Sequence, residues 1–349
     1  MDNLNNTSGT FFDWNLFRRD VRRDVRDCAL FLFFFYAIYA LAAIITMVVV
    51  MASGEAFQNL LSGQGGLADL YSSGGLSGEG LAGAGEDLTD AVTDIMGDVA
   101  GPMSIVGIIA GSCVFFILRK RRFITDLAKP AFETMTPKIF IILIMATQAI
   151  QLVYSLIVAL IDQLLPKGTS LLENYGTAME SLITPVGIVY IVLVGPIFEE
   201  LIFRGAVLGT LRKYGDNFAI LFSSILFGFY HAIFLQIPFG FVMGLLFGYV
   251  ACRWSLRPAI VLHIIVNGLS VLLTVTNNEG FTTAGGIAMI ACTILTVIFA
   301  IICRKTLVMR VRAGAAYYPR TYRNGFSSIA FWLFIISMAV FGLVQMLAL

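Results

Sequence analysis

The chain contains two histidines, and both lie in apolar segments beside residues that can donate or exchange protons. His231 ends the segment Phe227-Gly-Phe-Tyr-His231, and His263 begins His263-Ile-Ile-Val-Asn267. A third apolar segment carries the other candidates, namely Glu199, Glu200 and Arg204. Ionisable groups are costly inside a bilayer, so such residues mark a functional site by default. Their types suit acid–base chemistry on a water molecule.

The spacing of the third segment separates the roles of its two carboxylates. Glu200 and Arg204 are four residues apart, so they share one face of a helix with the acid on the N-terminal side. We predict that they form an ion pair. Glu199 lies about 100° further round the helix and is the candidate base. Pro196 removes one backbone hydrogen bond and favours a kink beside Glu199.

The two histidine segments add a partner for the base and two hydrogen-bond donors. Phe227 and His231 share a helix face, and so do His263 and Asn267. A neutral imidazole and an amide both present N–H groups, which can stabilise a developing oxyanion. With Glu199 as base and His231 as its partner, the set contains the parts needed for peptide-bond hydrolysis.

The composition places these segments in a membrane. Hydrophobic residues make up 58% of the chain and charged residues 13%, and the mean hydropathy is +0.86. We predict an all-α, polytopic membrane helix bundle, because apolar runs of spanning length recur along the whole chain. About nine transmembrane helices are expected, over residues 28–51, 101–118, 139–164, 182–203, 217–235, 237–252, 258–275, 284–303 and 328–348.

The basic residues predict the orientation of the bundle. With the N-terminus in the cytoplasm and nine helices, every lysine and arginine except Lys167 falls on the cytoplasmic side. We therefore expect a multi-pass protein of a bacterial plasma membrane. The net charge of +1 gives no reason to expect a nucleic-acid partner. The lipid bilayer is the expected environment.

Four regions follow from this arrangement. They are a basic cytoplasmic N-terminus (1–27); three transmembrane helices with an acidic, Gly- and Ser-rich outer loop at 52–100 (28–165); a catalytic four-helix core (182–275); and two transmembrane helices with a basic cytoplasmic loop at 304–326 (276–349). Counting about 1.5 Å per residue, we expect Glu199 and His263 near the inner side of the membrane. His231 counts to about 21 Å from the start of its own helix, nearer the outer half. Either that helix is strongly tilted or residues 205–222 are not all in the membrane, and we favour an extension of Gly205–Asn217 as a cytoplasmic helix.

The ordered motifs resemble those of one family. Glu199-Glu200-xxx-Arg204, Phe227-xxx-His231 and His263-xxx-Asn267 together look like the CPBP family of intramembrane proteases, over residues 182–275. That family includes type II CAAX prenyl endopeptidases and bacterial Abi proteins. The resemblance implies an intramembrane endopeptidase acting on a membrane-associated peptide or protein. It does not imply that the substrate is prenylated.

The resemblance also implies a role for each motif residue. Glu199 would activate water with assistance from His231, while His263 and Asn267 would line the oxyanion site. Glu200, Arg204 and Phe227 would support the architecture of the site, as the four-residue spacing of the ion pair also indicates.

A zinc site remains an alternative, since the family is often described as metalloproteases. Glu199, His231 and His263 would supply three ligands. Only Glu200 would then remain as a base, and it is expected to pair with Arg204. We therefore favour water activated by glutamate without a metal.

Two other functions use the same residues differently. A proton-coupled transporter would relay protons through Glu199, Glu200 and His231. A membrane immunity or scaffold protein would need no catalysis. Transporters usually contain repeated halves, and no second segment resembles 182–275, which favours the protease.

Overall fold

The computed structural model describes residues 13–53, 99–113, 133–165, 175–176, 182–276, 278–315, 318 and 320–348. All regular elements within these ranges are helices, which confirms the predicted all-α class. We number them α1 (Trp14–Ser53), α2 (Val99–Cys113), α3 (Pro137–Gln163), α4 (Pro185–Tyr214), α5 (Asp216–Tyr230), α6 (Gln236–Arg253), α7 (Leu256–Val275), α8 (Glu279–Ala313), α9 (Thr321–Phe326) and α10 (Ile329–Ala348). Most of the predicted outer loop lies outside the described residues.

The helices are those of a polytopic membrane protein. Among the described residues, seven are long and apolar enough to cross a bilayer, namely α1, α3, α4, α6, α7, α8 and α10. Helices α2 and α5 are apolar but shorter. The exact number of nine spans is therefore not confirmed. Helix α5 ends at Tyr230, earlier than predicted, because Ala232 adopts a left-handed backbone conformation with φ of 51°.

Helix α1 begins at Trp14 rather than near residue 28. The charged segment continues the helix because its residues follow helical spacing, with Arg23 and Asp20 pairing at 3.1 Å one turn apart. Val21 and Val25 on its other face are fully buried. The basic N-terminal segment is thus a packed extension of the first spanning helix.

Polar contacts tie several basic segments together at one end of the bundle. Asp24 on α1 accepts a hydrogen bond from Tyr214 at 2.7 Å and pairs with Lys213 at 2.6 Å, both at the end of α4. Arg22 donates to the Ser327 hydroxyl at 3.0 Å. The end of α4 and the α9–α10 connection therefore lie beside the start of α1.

The ends of α6 and α8 lie at this same end. Glu133 bridges Arg253 of α6 and Arg310 of α8. Arg212 of α4 donates to the Cys252 carbonyl at 2.8 Å. Within the described residues, basic residues from several of the segments assigned to the cytoplasmic side thus lie at one end of the bundle.

Helices α4 and α5 form a hairpin around Gly215. Its φ of 122° is in a region that favours glycine, and the Ser223 hydroxyl donates across the hairpin to the Phe203 carbonyl at 2.8 Å. Glu199 precedes Gly215 by sixteen residues and His231 follows it by sixteen, a helical rise of up to about 24 Å on each arm. The two candidates therefore lie at similar depth.

The helix that carries Glu199 extends beyond residue 205, as the different depths counted for Glu199 and His231 led us to expect. Helix α4 does not end near residue 203 but continues to Tyr214. Arg204 lies inside the protein, because Glu200 compensates its charge and no exposure to the cytoplasm is needed.

A glycine allows α6 to pack closely against α5. A Cβ atom on Gly244 would lie 3.0 Å from the Cβ of Ser224, so a larger residue would push the helices apart. Close approach at small residues is a common means of helix packing in membranes. It also brings the Gly244 carbonyl towards α4.

Helix α8 provides a test of the orientation, because its two ends are predicted to lie on opposite sides of the membrane. Glu279 and Arg312 are both exposed, near opposite ends of the helix. In a cysteine-free background, a Glu279→Cys protein should react with an impermeant maleimide in intact cells. An Arg312→Cys protein should react only after the cells are opened. The reverse pattern would overturn the orientation, and labelling of both in intact cells would show that α8 does not cross.

Candidate active site

Helix α4 is irregular where it carries the two adjacent carboxylates. Two stretches, Tyr190–Val194 and Leu201–Leu208, have the wider π-helical pairing, and Gly195–Glu200 lies between them. The N–H of Gly195 donates to the Tyr190 carbonyl, five residues back. Pro196 follows and has no N–H to donate. Such π-helical turns occur frequently at functional sites.

Glu200 holds the site together through one carboxylate oxygen. Its Oε1 accepts a hydrogen bond from Nη1 of Arg204 at 2.7 Å and lies 3.0 Å from Nδ1 of His263. The side chains of Glu200 and Arg204 are fully buried. The ion pair expected from the four-residue spacing is present, and His263 joins it from α7.

The guanidinium of Arg204 is enclosed by aromatic rings. Its Cζ lies 4.1 Å from the centre of the Phe227 ring and 5.4 Å from that of Phe247. Nη2 also donates to the Gly244 carbonyl at 3.4 Å. Stacking of a cation on ring faces stabilises it when water is excluded. Phe227 therefore supports the ion pair.

His263 lies between the two carboxylates. A carboxylate that already binds Arg204 acts as an acceptor, so Nδ1 of His263 carries the proton in its bond to Glu200. Nε2 points towards Oε2 of Glu199 at 3.7 Å, which is longer than a direct hydrogen bond. In the neutral ring Nε2 keeps its lone pair. The imidazole stacks on Phe247 with 4.7 Å between ring centres.

Glu199 is buried but is not part of the Arg204 pair. Only 8% of the residue is exposed, and its Oε2 lies 3.7 Å from Nε2 of His263. Gly195, one turn earlier, leaves space on this side of the helix. A Cβ atom there would lie 3.8 Å from both Oε1 of Glu199 and the Tyr190 ring.

His231 caps the C-terminal end of α5. Its Nδ1 lies 2.9 Å from the Phe227 carbonyl, one of the last carbonyls of the helix. A carbonyl only accepts, so Nδ1 donates and Nε2 keeps a lone pair. The Phe227 ring lies between the histidines, with its centre 4.8 Å from the His231 ring and 6.0 Å from the His263 ring.

Asn267 lies one turn beyond His263 on α7, but the two do not point their donors at a common position. Nδ2 of Asn267 donates to the Ile191 carbonyl of α4 at 2.9 Å, whereas Nδ1 of His263 is bound to Glu200. In this structure both donors contact α4, because α7 packs against the irregular part of that helix. Their role at an oxyanion stays a prediction.

The three residues considered as zinc ligands were Glu199, His231 and His263. Both imidazoles present an Nε2 lone pair, which is suitable chemistry for a ligand. Among the residues that the structure describes, however, no three His, Cys, Asp or Glu side chains are grouped closely enough to hold a metal ion. The geometry thus brings Glu199 and His263 near each other without forming a three-ligand centre.

Tyrosines from outside the motifs also border the site. Tyr36 of α1 lies 5.8 Å from Tyr230, whose ring centre lies 5.8 Å from that of His231. Tyr230 also contacts Phe203 of α4 at 5.2 Å between ring centres. In the sequence, Tyr36 and Tyr230 are tyrosines within apolar segments, and no pattern marks them as neighbours of the site. Their convergence depends on the packing of α1 against α4 and α5.

Comparisons with known proteins concern this same part of the chain. Residues 181–269 match a family model described as type II CAAX prenyl endopeptidase Rce1-like. The chain is also similar to the membrane-embedded CAAX protease MroQ of Staphylococcus aureus (strain USA300), with 32% identity over 109 residues. That similarity covers 29% of this chain and 44% of the relative, so the chain spans less than half of the relative's length. No solved structure matches the chain.

The match includes the helices that carry all seven motif residues, from Glu199 on α4 to Asn267 on α7. The resemblance of residues 181–269 to the type II CAAX prenyl endopeptidases, a family of membrane proteases, is therefore confirmed.

Proposed function

We propose that this protein is an intramembrane endopeptidase that hydrolyses a peptide bond with water activated by Glu199. The observation that carries the proposal is that two adjacent carboxylates make different contacts. Glu200 is bound to Arg204 and His263, while Glu199 faces Nε2 of His263 at 3.7 Å. One carboxylate builds the site, and its neighbour remains available to take a proton.

The charges of the cluster support Glu199 as a base. Glu199 and Glu200 bring two negative charges, and Arg204 brings one positive charge. With His263 neutral, one negative charge is left in a buried site, which is unfavourable. Glu199 is the carboxylate of this cluster that does not pair with Arg204, so it is the one that can serve as the general base.

In the proposed reaction Glu199 accepts a proton from water as the water oxygen attacks the carbonyl carbon of the scissile bond. His231 accepts a hydrogen bond from that water on Nε2 and orients it. The proton then passes from Glu199 to the amide nitrogen as the C–N bond breaks. His263 remains neutral, with Nδ1 bound to Glu200 and Nε2 facing the Glu199 carboxylate beside the reacting groups.

The surroundings of the site indicate the class of substrate. Glu199 and His231 lie far along the α4–α5 hairpin, between helices that are apolar enough to cross a bilayer. We propose a membrane-associated peptide or protein as substrate, without a requirement for prenylation. Because the similar CAAX protease is bacterial, we place the protein in a bacterial plasma membrane.

We propose that the reaction needs no metal ion. Both histidines present Nε2, but among the described residues Glu199, His231 and His263 are not grouped closely enough to hold a metal ion. If zinc were bound, Glu199, His231 and His263 would be its ligands and would polarise the attacking water through it.

Elemental analysis of purified, active protein tests the metal proposal. We expect less than stoichiometric zinc and unchanged proteolysis after exhaustive chelation. Stoichiometric zinc, with activity lost on chelation and restored by zinc alone, would contradict the proposal. The same residues would then act as ligands rather than as base and donor.

Replacement of Glu199 tests the assigned base. A Glu199→Gln protein keeps the shape of the side chain but cannot accept the proton, so kcat should fall by about 10²–10⁴-fold. Its thermal unfolding should be close to that of the wild type. The measurement is cleavage of a peptide substrate by purified protein in liposomes.

Two further variants complete this test. Glu279→Gln alters an exposed carboxylate at the start of α8 and should leave cleavage unchanged. Glu200→Gln should lower the stability by about 3 kcal/mol, because it leaves the buried Arg204 without its counter-ion. Wild-type kcat in the Glu199→Gln protein would refute the role of Glu199.

A further inference from the structure

The carbonyl of Ile191 lacks a main-chain donor in the pairing pattern of α4. Around it the helix follows π-helical pairing, in which the Gly195 N–H donates to the Tyr190 carbonyl. The next bond in this pattern would run from residue 196 to Ile191, but Pro196 has no N–H. An unpaired carbonyl is strongly unfavourable at membrane depth, so a neighbouring element must supply a donor.

Asn267 of α7 supplies that donor. Its Nδ2 lies 2.9 Å from the Ile191 carbonyl oxygen. One turn earlier on α7, Nδ1 of His263 lies 3.0 Å from Glu200. Helix α7 therefore contacts α4 on both sides of Glu199. Asn267 binds the backbone at Ile191, and His263 binds the side chain of Glu200.

We propose that Asn267 is a positioning residue for Glu199, because it replaces the main-chain donor that Pro196 lacks. This role rests on the proposed function of Glu199 as the base. The Asn267 amide is directed at the protein's own backbone, and it fixes the irregular turn from which Glu199 projects. Asn267 thus acts on catalysis through α4, and this role is separate from any contact that its second N–H makes with the oxyanion.

A double-mutant cycle between Asn267 and Pro196 tests this role. Asn267→Leu removes the donor and keeps a similar volume. Pro196→Ala restores a main-chain N–H at residue 196. If the π-helical pairing is kept, this N–H binds the Ile191 carbonyl. If the helix becomes a regular α-helix, the Gly195 N–H binds that carbonyl instead. Either way, Ile191 no longer needs Asn267. The two replacements should therefore not be additive.

The cycle is measured on purified protein in liposomes, with kcat, KM and the apparent Tm determined for all four proteins. With Pro196 present, Asn267→Leu should lower kcat by about 100-fold through misplacement of Glu199, with little change in KM. It should also lower the apparent Tm by about 2–4 °C. With Pro196→Ala present, the loss of kcat caused by Asn267→Leu should be at least tenfold smaller, and Tm should be unaltered. Thr274→Val, on the exposed face of α7, is the matched control and should change neither quantity.

Equal losses of kcat in both backgrounds would overturn the proposal, because they would show that Asn267 acts on the substrate directly. Equal losses of Tm in both backgrounds would overturn it as well, since the stabilisation by Asn267 would then not depend on its hydrogen bond to the Ile191 carbonyl. Coupled Tm values in a protein without any peptidase activity would support the Asn267–Ile191 contact and refute the proposed function.

Discussion

The rest of the site depends on the buried ion pair between Glu200 and Arg204. A guanidinium at membrane depth is tolerated only with a counter-ion, and here the pair is completed by two aromatic rings and the Gly244 carbonyl. Because the pair neutralises Arg204 inside the protein, α4 can continue past this residue and ends at Tyr214. It also fixes the oxygen to which His263 binds, so the position of α7 is set by the same carboxylate.

Two adjacent glutamates thereby acquire different chemistry from their places on one helix. Glu200 pairs with Arg204 one turn further along the helix and therefore has a structural role, whereas Glu199 faces the imidazole of His263. The π-helical turns on both sides of Gly195–Glu200 alter the direction in which each side chain projects. A regular helix would not need Asn267, and the irregular one does.

Several parts of this arrangement could be predicted from the sequence. The Glu200–Arg204 pair follows from a spacing of four residues, and the membrane helices follow from hydropathy. The start of α1 at Trp14 could not, because a hydropathy pattern ends at the first charges, although helical pairing and buried valines continue the helix. The continuation of α4 beyond residue 205 could be expected, because the depths counted for Glu199 and His231 differ unless this segment extends the helix.

The contacts of the histidines and of Asn267 could not be predicted, because they join residues far apart in the chain. His263 and Glu200 are separated by 63 residues, and Asn267 and Ile191 by 76. One helix face can be derived from spacing, but the group that it meets depends on how α4, α5 and α7 pack. The donors proposed for an oxyanion therefore turned out to contact α4.

The central interaction is the hydrogen bond that Nδ1 of His263 donates to Glu200, which leaves Nε2 facing Glu199. Nitrogen-15 solid-state NMR of protein labelled in histidine tests this directly, because the chain contains only two histidines. A His231→Gln sample assigns the remaining ring to His263. We expect Nδ1 of His263 to be protonated in the wild type and its signal to change in a Glu200→Gln protein. A neutral ring with its proton on Nε2 would show instead that Nδ1 does not donate to Glu200.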